Sequence, residues 1–216
     1  MNARISFAIV IAATMAIPVV TSAQSNFEGV ITFQMDAGRG GPSTMEYSVK
    51  DSSVRVDMSA QGMNMFTLYD GSKKTIDMVI PMRQMYMERS AEVPQAMADA
   101  AVKKHDITWT GKKETIAGYE CEHATTTDDD GSTVDMCLAK GLGAFVQMGG
   151  GMGGRGRGGP PAGWENHVGD SFPLKVQHGD QVQLLVTKIE KKSLDASLFT
   201  VPDGYQKMNM PMGGGR

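Results

Sequence analysis

The chain has 216 residues, 21 Lys plus Arg against 24 Asp plus Glu, and a formal net charge of −3. That length gives a single domain room for a sizeable core, and so mild a charge argues against a general nucleic-acid binder. With 18 methionines, 26 glycines, two cysteines and only 6% aromatic residues, methionine is left to do much of the apolar packing through its flexible thioether. In chain order, Asn2 and Arg4 precede a largely apolar run from Ile5 to Val20, and Thr21-Ser22-Ala23 puts small residues where a signal peptidase reads. The run is too short to span a membrane. Residues 1–23 are therefore expected to be a cleaved secretory signal peptide. No cysteine follows it to carry a lipid anchor, so the mature chain is expected to start near Gln24 and to be periplasmic or secreted.

Period-two alternation then predicts a series of half-buried strands. Ile31, Phe33 and Met35 alternate with polar residues, as do Met45, Tyr47 and Val49, then Val54, Val56 and Met58, then Ile76, Met78 and Ile80. Turn signals at Gly38 to Pro42, Asp51-Ser52, Gln61-Gly62 and Asp70-Gly71 separate them. Met63 to Tyr69 is less clean, with apolar residues on both faces. One helix is expected after Ser90. Glu92 sits in its first turn, Pro94 lies near its start, Val93, Met97 and Ala101 form one stripe, and Lys103-Lys104 close its end.

Strands resume at Ile107 to Thr110, with Gly111-Lys112 read as a turn. Tyr119 to Thr126 and Ser132 to Leu138 read as two arms of a hairpin around Asp128-Asp129-Asp130-Gly131. Lys140 to Met148 is read as a short helical turn, and Gly149 to Gly163 as a flexible Gly/Arg-rich loop. Alternation returns at Phe172, Leu174 and Val176 and again at Val182, Leu184 and Val186. Ser193 to Phe199 reads as a helical turn, Val201 to Tyr205 as extended, and residues 208–216 as a disordered Met/Gly tail. The expected organisation is a signal peptide over 1–23, one domain over 24–207 and that tail. The expected fold class is mainly β (α+β): an open, curved antiparallel β-barrel with the helix packed on its concave face.

The segments Gly118-Tyr119-Glu120-Cys121, Phe172-Pro173-Leu174-Lys175, and Ser193-Leu194-Asp195 to Phe199 with Pro202, Gly204 and Tyr205 carry a family pattern. FEGVITFQM and LYDGSKKTIDM near the N-terminus fit it too. In these motifs the chain resembles the bacterial exported family called domain of unknown function 4412. That family is in turn similar to lipoprotein carriers of the LolA and LolB type. The resemblance implies a LolA-like open barrel holding acyl chains in an apolar cavity, and it implies no residue-by-residue roles.

Several constellations bear on chemistry. Cys121 and Cys137 lie on the two hairpin arms, symmetric about Asp129, and a cross-strand disulfide is the expected state in an oxidising compartment. The alternative is a zinc or copper site of Cys121, His123 and Cys137, although no second Cys/His pair stands at ligand spacing. Met63/Met65, Met85/Met87 and Met208/Met210/Met212 are spaced two apart, which suits apolar lining or, for the last trio, soft Cu(I) ligation.

Asp128-Asp129-Asp130-Gly131 fails the EF-hand pattern, because Thr126 and Cys137 stand where acidic ligands are needed. Arg155-Gly156-Arg157 is two arginines in an acidic chain and reads as linker. No Gly-x-Ser-x-Gly elbow or His-Glu-x-x-His helix is present, so no enzyme and no cofactor are expected. The expected function is non-catalytic binding of an apolar ligand, an acyl chain or a lipidated protein, with transient membrane contact and no nucleic acid; the alternatives are a soft-metal (copper) binding envelope protein, centred on Met208, Met210 and Met212 or on Cys121 and His123, and a structural or interaction protein with a partner on the Gly/Arg loop. The expected lining is Phe33, Met35, Met45, Tyr47, Val54, Val56, Met58, Ile76 and Met78, each of which would serve equally as plain core.

Overall fold

A computed structural model describes residues 27–36, 41–60, 62–92, 106–128, 131–143, 145–146 and 171–208. The expected signal peptide, the helix stripe after Glu92, the Gly/Arg loop, Met210 and Met212 lie outside the described residues.

The strands are β1 (Gly29–Asp36), β2 (Pro42–Lys50), β3 (Ser53–Ala60), β4 (Met63–Asp70), β5 (Thr75–Ile80), β6 (Met85–Ser90), β7 (Thr108–Ile116), β8 (Tyr119–Thr127), β9 (Thr133–Ala139), β10 (Phe172–His178), β11 (Gln181–Lys191) and β12 (Gln206–Lys207). They form one 12-stranded sheet in the order β12-β6-β5-β4-β3-β2-β1-β11-β10-β9-β8-β7. Two meanders, β1 to β6 and β7 to β11, are thus joined along the seam between β1 and β11. Gly29 lies in that seam, where a Cβ would collide with the carbonyl oxygen of Glu190.

Two expectations about the sheet are corrected, and the expected helix falls outside the described residues. The sheet does not close into a barrel: its order is linear, with β7 and β12 as its edges. Its last pair, β12 with β6, is parallel. Helical structure among the described residues is limited to two short 3-10 turns, Pro81–Arg83 and Ala196–Phe199. Ser90 closes β6, although its Oγ does accept the Glu92 amide at 3.1 Å.

Gly111-Lys112 is not a turn between elements either. β7 runs through it with a bulge between Trp109 and Lys113, which Gly111 accommodates at φ +73°. The described residues between Lys140 and Val146 are non-helical. At the start of the expected tail, Met208 donates its backbone N–H to the Tyr86 carbonyl at 2.7 Å.

Direct cross-strand partners share a face of a sheet, so the register sorts the side chains. On the core face Ile31 stands opposite Tyr47, and Tyr47 opposite Val56. Across the seam, Met35 of β1 pairs with Leu184, and Val176, Met136 and Ala124 of the other meander follow as successive partners. The opposite face of β4 and β5 buries Phe66, Leu68 and Val79 beneath Val201 and Tyr205 of the C-terminal segment. That explains the apolar residues on both faces of Met63 to Tyr69: one face of β4 packs under the C-terminal segment and the other belongs to the core face.

The C-terminal segment is held by polar clamps. Glu28 accepts from Lys50 Nζ and from the Leu194 amide, both at 2.6 Å. Arg55 grips Asp57 with two N–H groups at 2.6 and 2.7 Å, reaches the Leu198 carbonyl at 3.2 Å, and lies 3.8 Å over the Phe66 ring.

Candidate functional site

The core face divides into a filled part and an open part, and the division runs through the expected lining residues. Phe33, Tyr47, Val54, Val56 and Ile76 are buried. Around Tyr47 the filling comes from the chain itself: Phe145 stacks on its ring at 5.8 Å between centroids, and Phe172 meets both rings edge-on at 5.3 Å. The Val146 amide donates to Tyr47 Oη at 2.8 Å. Leu142, at 0% exposure, completes the plug. Burial pushes the Tyr47 phenol well above its ordinary pKa, because the charged form would sit in an apolar surround.

Met35, Met45, Met58 and Met78 are instead only partly buried. They belong to a wider set. Met45 stands opposite Met58, Met58 opposite Met65, Met78 opposite Met87, and Ile80 opposite Met85. Each of these side chains keeps part of its surface accessible. The face from β2 to β6 therefore carries a methionine field of two register rows, Met45-Met58-Met65 on β2 to β4 and Met78-Met87 on β5 and β6, where Met78 stands opposite the buried Thr67. Among the described residues the first charge on it is Arg89, opposite Ile76 at one end. Met65, Met85 and Met87 were legible as pairs spaced two apart, but only the register joins them to Met45, Met58 and Met78.

A second, polar constellation lies on the opposite face at the far end of the sheet. The hairpin register places His123 directly across from Cys137, one step away from the symmetry about Asp129, so the Cys121–Cys137 disulfide is diagonal, with Cα atoms 5.3 Å apart. His123 is 2% exposed. Its Nδ1 lies 2.5 Å from Asp135 Oδ1 and its Nε2 lies 3.1 Å from Glu114 Oε2. Lys175 Nζ donates to the same Glu114 oxygen at 3.3 Å. Burial raises the Glu114 pKa, but the hydrogen bonds and charges of Lys175 and His123 outweigh it and hold this carboxyl below its ordinary value. Glu114, Asp135 and Lys175 carried no sequence signal, since Glu114 and Asp135 reach His123 from two different strands and Lys175 reaches Glu114 from a third.

The family profile described as "Domain of unknown function (DUF4412)" matches residues 27–205. The chain belongs to this family. The matched span takes in both the methionine field and the His123 cluster. No curated protein matches the sequence. Among solved structures, the chain is similar to an uncharacterized conserved protein from Thermus thermophilus, with a TM-score of 0.52 at 12% identity over 85% of this chain and 90% of that one. PNGF-II gives a TM-score of 0.49 at 14% identity, over 84% of this chain and 30% of that one. MucB in complex with MucA(peri) gives 0.40 at 15% identity, over 84% of this chain and 54% of that one. At these identities the first likeness concerns the sheet fold alone.

Proposed function

We propose that this member of the family is an exported, non-catalytic binding protein whose methionine field holds an apolar ligand, an acyl chain or a lipidated protein. The observation that carries the reading is the two methionine rows, Met45-Met58-Met65 and Met78-Met87, apolar and partly accessible on one face of β2 to β6. Exposed apolar surface of this kind marks interaction sites. Methionine suits a flexible chain because its unbranched, polarizable side chain re-packs around varied shapes. Each buried methylene contributes about 0.8 kcal/mol before the costs of binding are subtracted. The Cys121–Cys137 disulfide supports export, since such bonds persist in oxidising compartments. Among the described residues no helix is long and apolar enough to cross a membrane.

The test is uptake of a fluorescent fatty-acyl probe by the mature, delipidated chain, with native mass spectrometry and organic extraction of material purified from the periplasm. Binding is expected, and it should be lost in a Met58→Lys/Met78→Lys double variant that still folds, because both side chains have solvent within reach for the new ammonium. No uptake by the unmodified chain, or equal uptake by the double variant, would overturn the reading.

A further inference from the structure

The His123 cluster has the composition of a metal site in which two of the ligands are tied together. Ligand atoms of Glu114, His123 and Cys137 all lie within 4.8 Å of one another, and Cys121 Sγ is bonded to Cys137 Sγ at the same spot. The disulfide leaves neither sulfur available as a thiolate, which is the form that binds metal.

The imidazole is already set as a ligand. Its Nδ1 faces Asp135 at 2.5 Å, the carboxylate–histidine arrangement that fixes the tautomer and aims the other nitrogen. That other nitrogen, Nε2, points at Glu114. We propose that reduction of the Cys121–Cys137 disulfide converts this cluster into a tetrahedral zinc site. Its ligands are the two thiolates, His123 Nε2 and a Glu114 carboxylate oxygen, with Asp135 orienting the ring.

The donor set is two sulfurs, one imidazole and one carboxylate, which matches the preferences of Zn²⁺ and satisfies its four-coordination. The chemistry balances with a dithiol as reductant. It delivers two electrons to the S–S bond, closes to its own disulfide, and leaves one proton on each cysteine sulfur. Zinc capture then forms two S–Zn bonds and one N–Zn bond, and releases the two thiol protons together with the Nε2 proton that His123 donates to Glu114.

Lys175 now occupies the cation's place against Glu114, and its partly exposed side chain has solvent to swing into. Access comes from the sheet edge, because among the described strands β7, which carries Glu114, pairs with β8 alone. The site is on the opposite face from the methionine field and stands independently of it.

The experiment uses the full mature chain, with Co²⁺ as a spectroscopic stand-in for Zn²⁺, before and after treatment with a phosphine reductant. The reduced chain should bind one metal ion, show thiolate-to-cobalt charge transfer with tetrahedral d–d bands, and lose the cobalt signal to added Zn²⁺. The oxidised chain should show none of this. Asp135→Asn should weaken the reduced site by about 10- to 100-fold without changing the ligand count, and Glu114→Gln and His123→Ala should alter the d–d bands. Far-UV circular dichroism of the reduced, metal-loaded chain should retain the sheet. Three results would overturn the proposal: no binding after reduction, spectra indifferent to His123→Ala, or collapse of the sheet on reduction in the presence of Co²⁺.

Discussion

The phenol oxygen of Tyr47 accepts the backbone amide of Val146 at 2.8 Å, tying together two points 99 residues apart in the chain. This bond pins the plug of Leu142, Phe145 and Val146 onto the core face and decides which part of that face is closed. Tyr47→Phe keeps the ring and its stack on Phe145 but leaves the Val146 amide without this acceptor. The expected loss is about 1 kcal/mol, the net worth of one such hydrogen bond, measured as a lower urea midpoint at unchanged slope.

Glu28 gives the C-terminal segment a dependence on pH. The Leu194 amide and then Lys50 hold its carboxyl below the ordinary value of 4.5. Asp195, which accepts the Ser197 amide at 2.8 Å, is lowered in the same way. A carboxyl with a depressed folded-state pKa stabilises fully above its unfolded value, and the contribution fades as pH falls through the folded value. Urea midpoints should therefore drop as pH is lowered through 4.5, and Glu28→Gln should flatten that drop.

Arg55 joins the sheet to the same segment by geometry as well as charge. Its planar fork meets both oxygens of Asp57 while its face covers Phe66, an arrangement that an ammonium cannot copy. Arg55→Lys should cost roughly 1 kcal/mol through the lost bidentate and stacking contacts. It should also raise amide exchange in residues 196–208 before exchange rises in β1 or β11.

The methionine field should be sensitive to oxidation. Sulfoxide formation turns an apolar side chain polar, and Met45, Met58, Met65 and Met78 keep accessible surface while Met136 is fully buried. Mild peroxide should modify the first four ahead of Met136 in peptide maps, and acyl-probe binding should fall in step. Methionine sulfoxide reductases should restore it.

Much of the sheet is legible in the sequence, because period-two alternation in Ile31 to Met35, Met45 to Val49 and Val54 to Met58 follows directly from one buried face. What local pattern cannot show is closure. Whether β7 finds β12 depends on strand stagger and on covering segments, neither of which leaves a periodic mark. Gly111-Lys112 illustrates a second limit: a glycine inside a strand can serve a bulge as readily as a turn.

The candidate sites divide on the same principle. Met58 and Met78 are visible as inward residues, but their partial exposure is not, because alternation marks a face and not how far that face is covered. Cys121, His123 and Cys137 stand out by residue type. Glu114, Asp135 and Lys175 do not, since ordinary charged residues gain meaning only from the cross-strand register, which brings two carboxylates to one imidazole and Lys175 to one of those carboxylates.

The seam between β1 and β11 sets an order of events for a chain synthesised from its N-terminus. From Gly29 opposite Lys191 to Met35 opposite Leu184, the first strand pairs with one of the last to emerge. The β1–β6 meander can assemble from neighbouring segments, but the ladder on the outer side of β1 has to wait for nearly the whole remaining sequence, and pairings so distant in sequence form slowly. During that interval β1 is a bare edge able to recruit the same strand of another molecule. The time for which the chain is vulnerable to aggregation is then governed by how quickly β11 arrives.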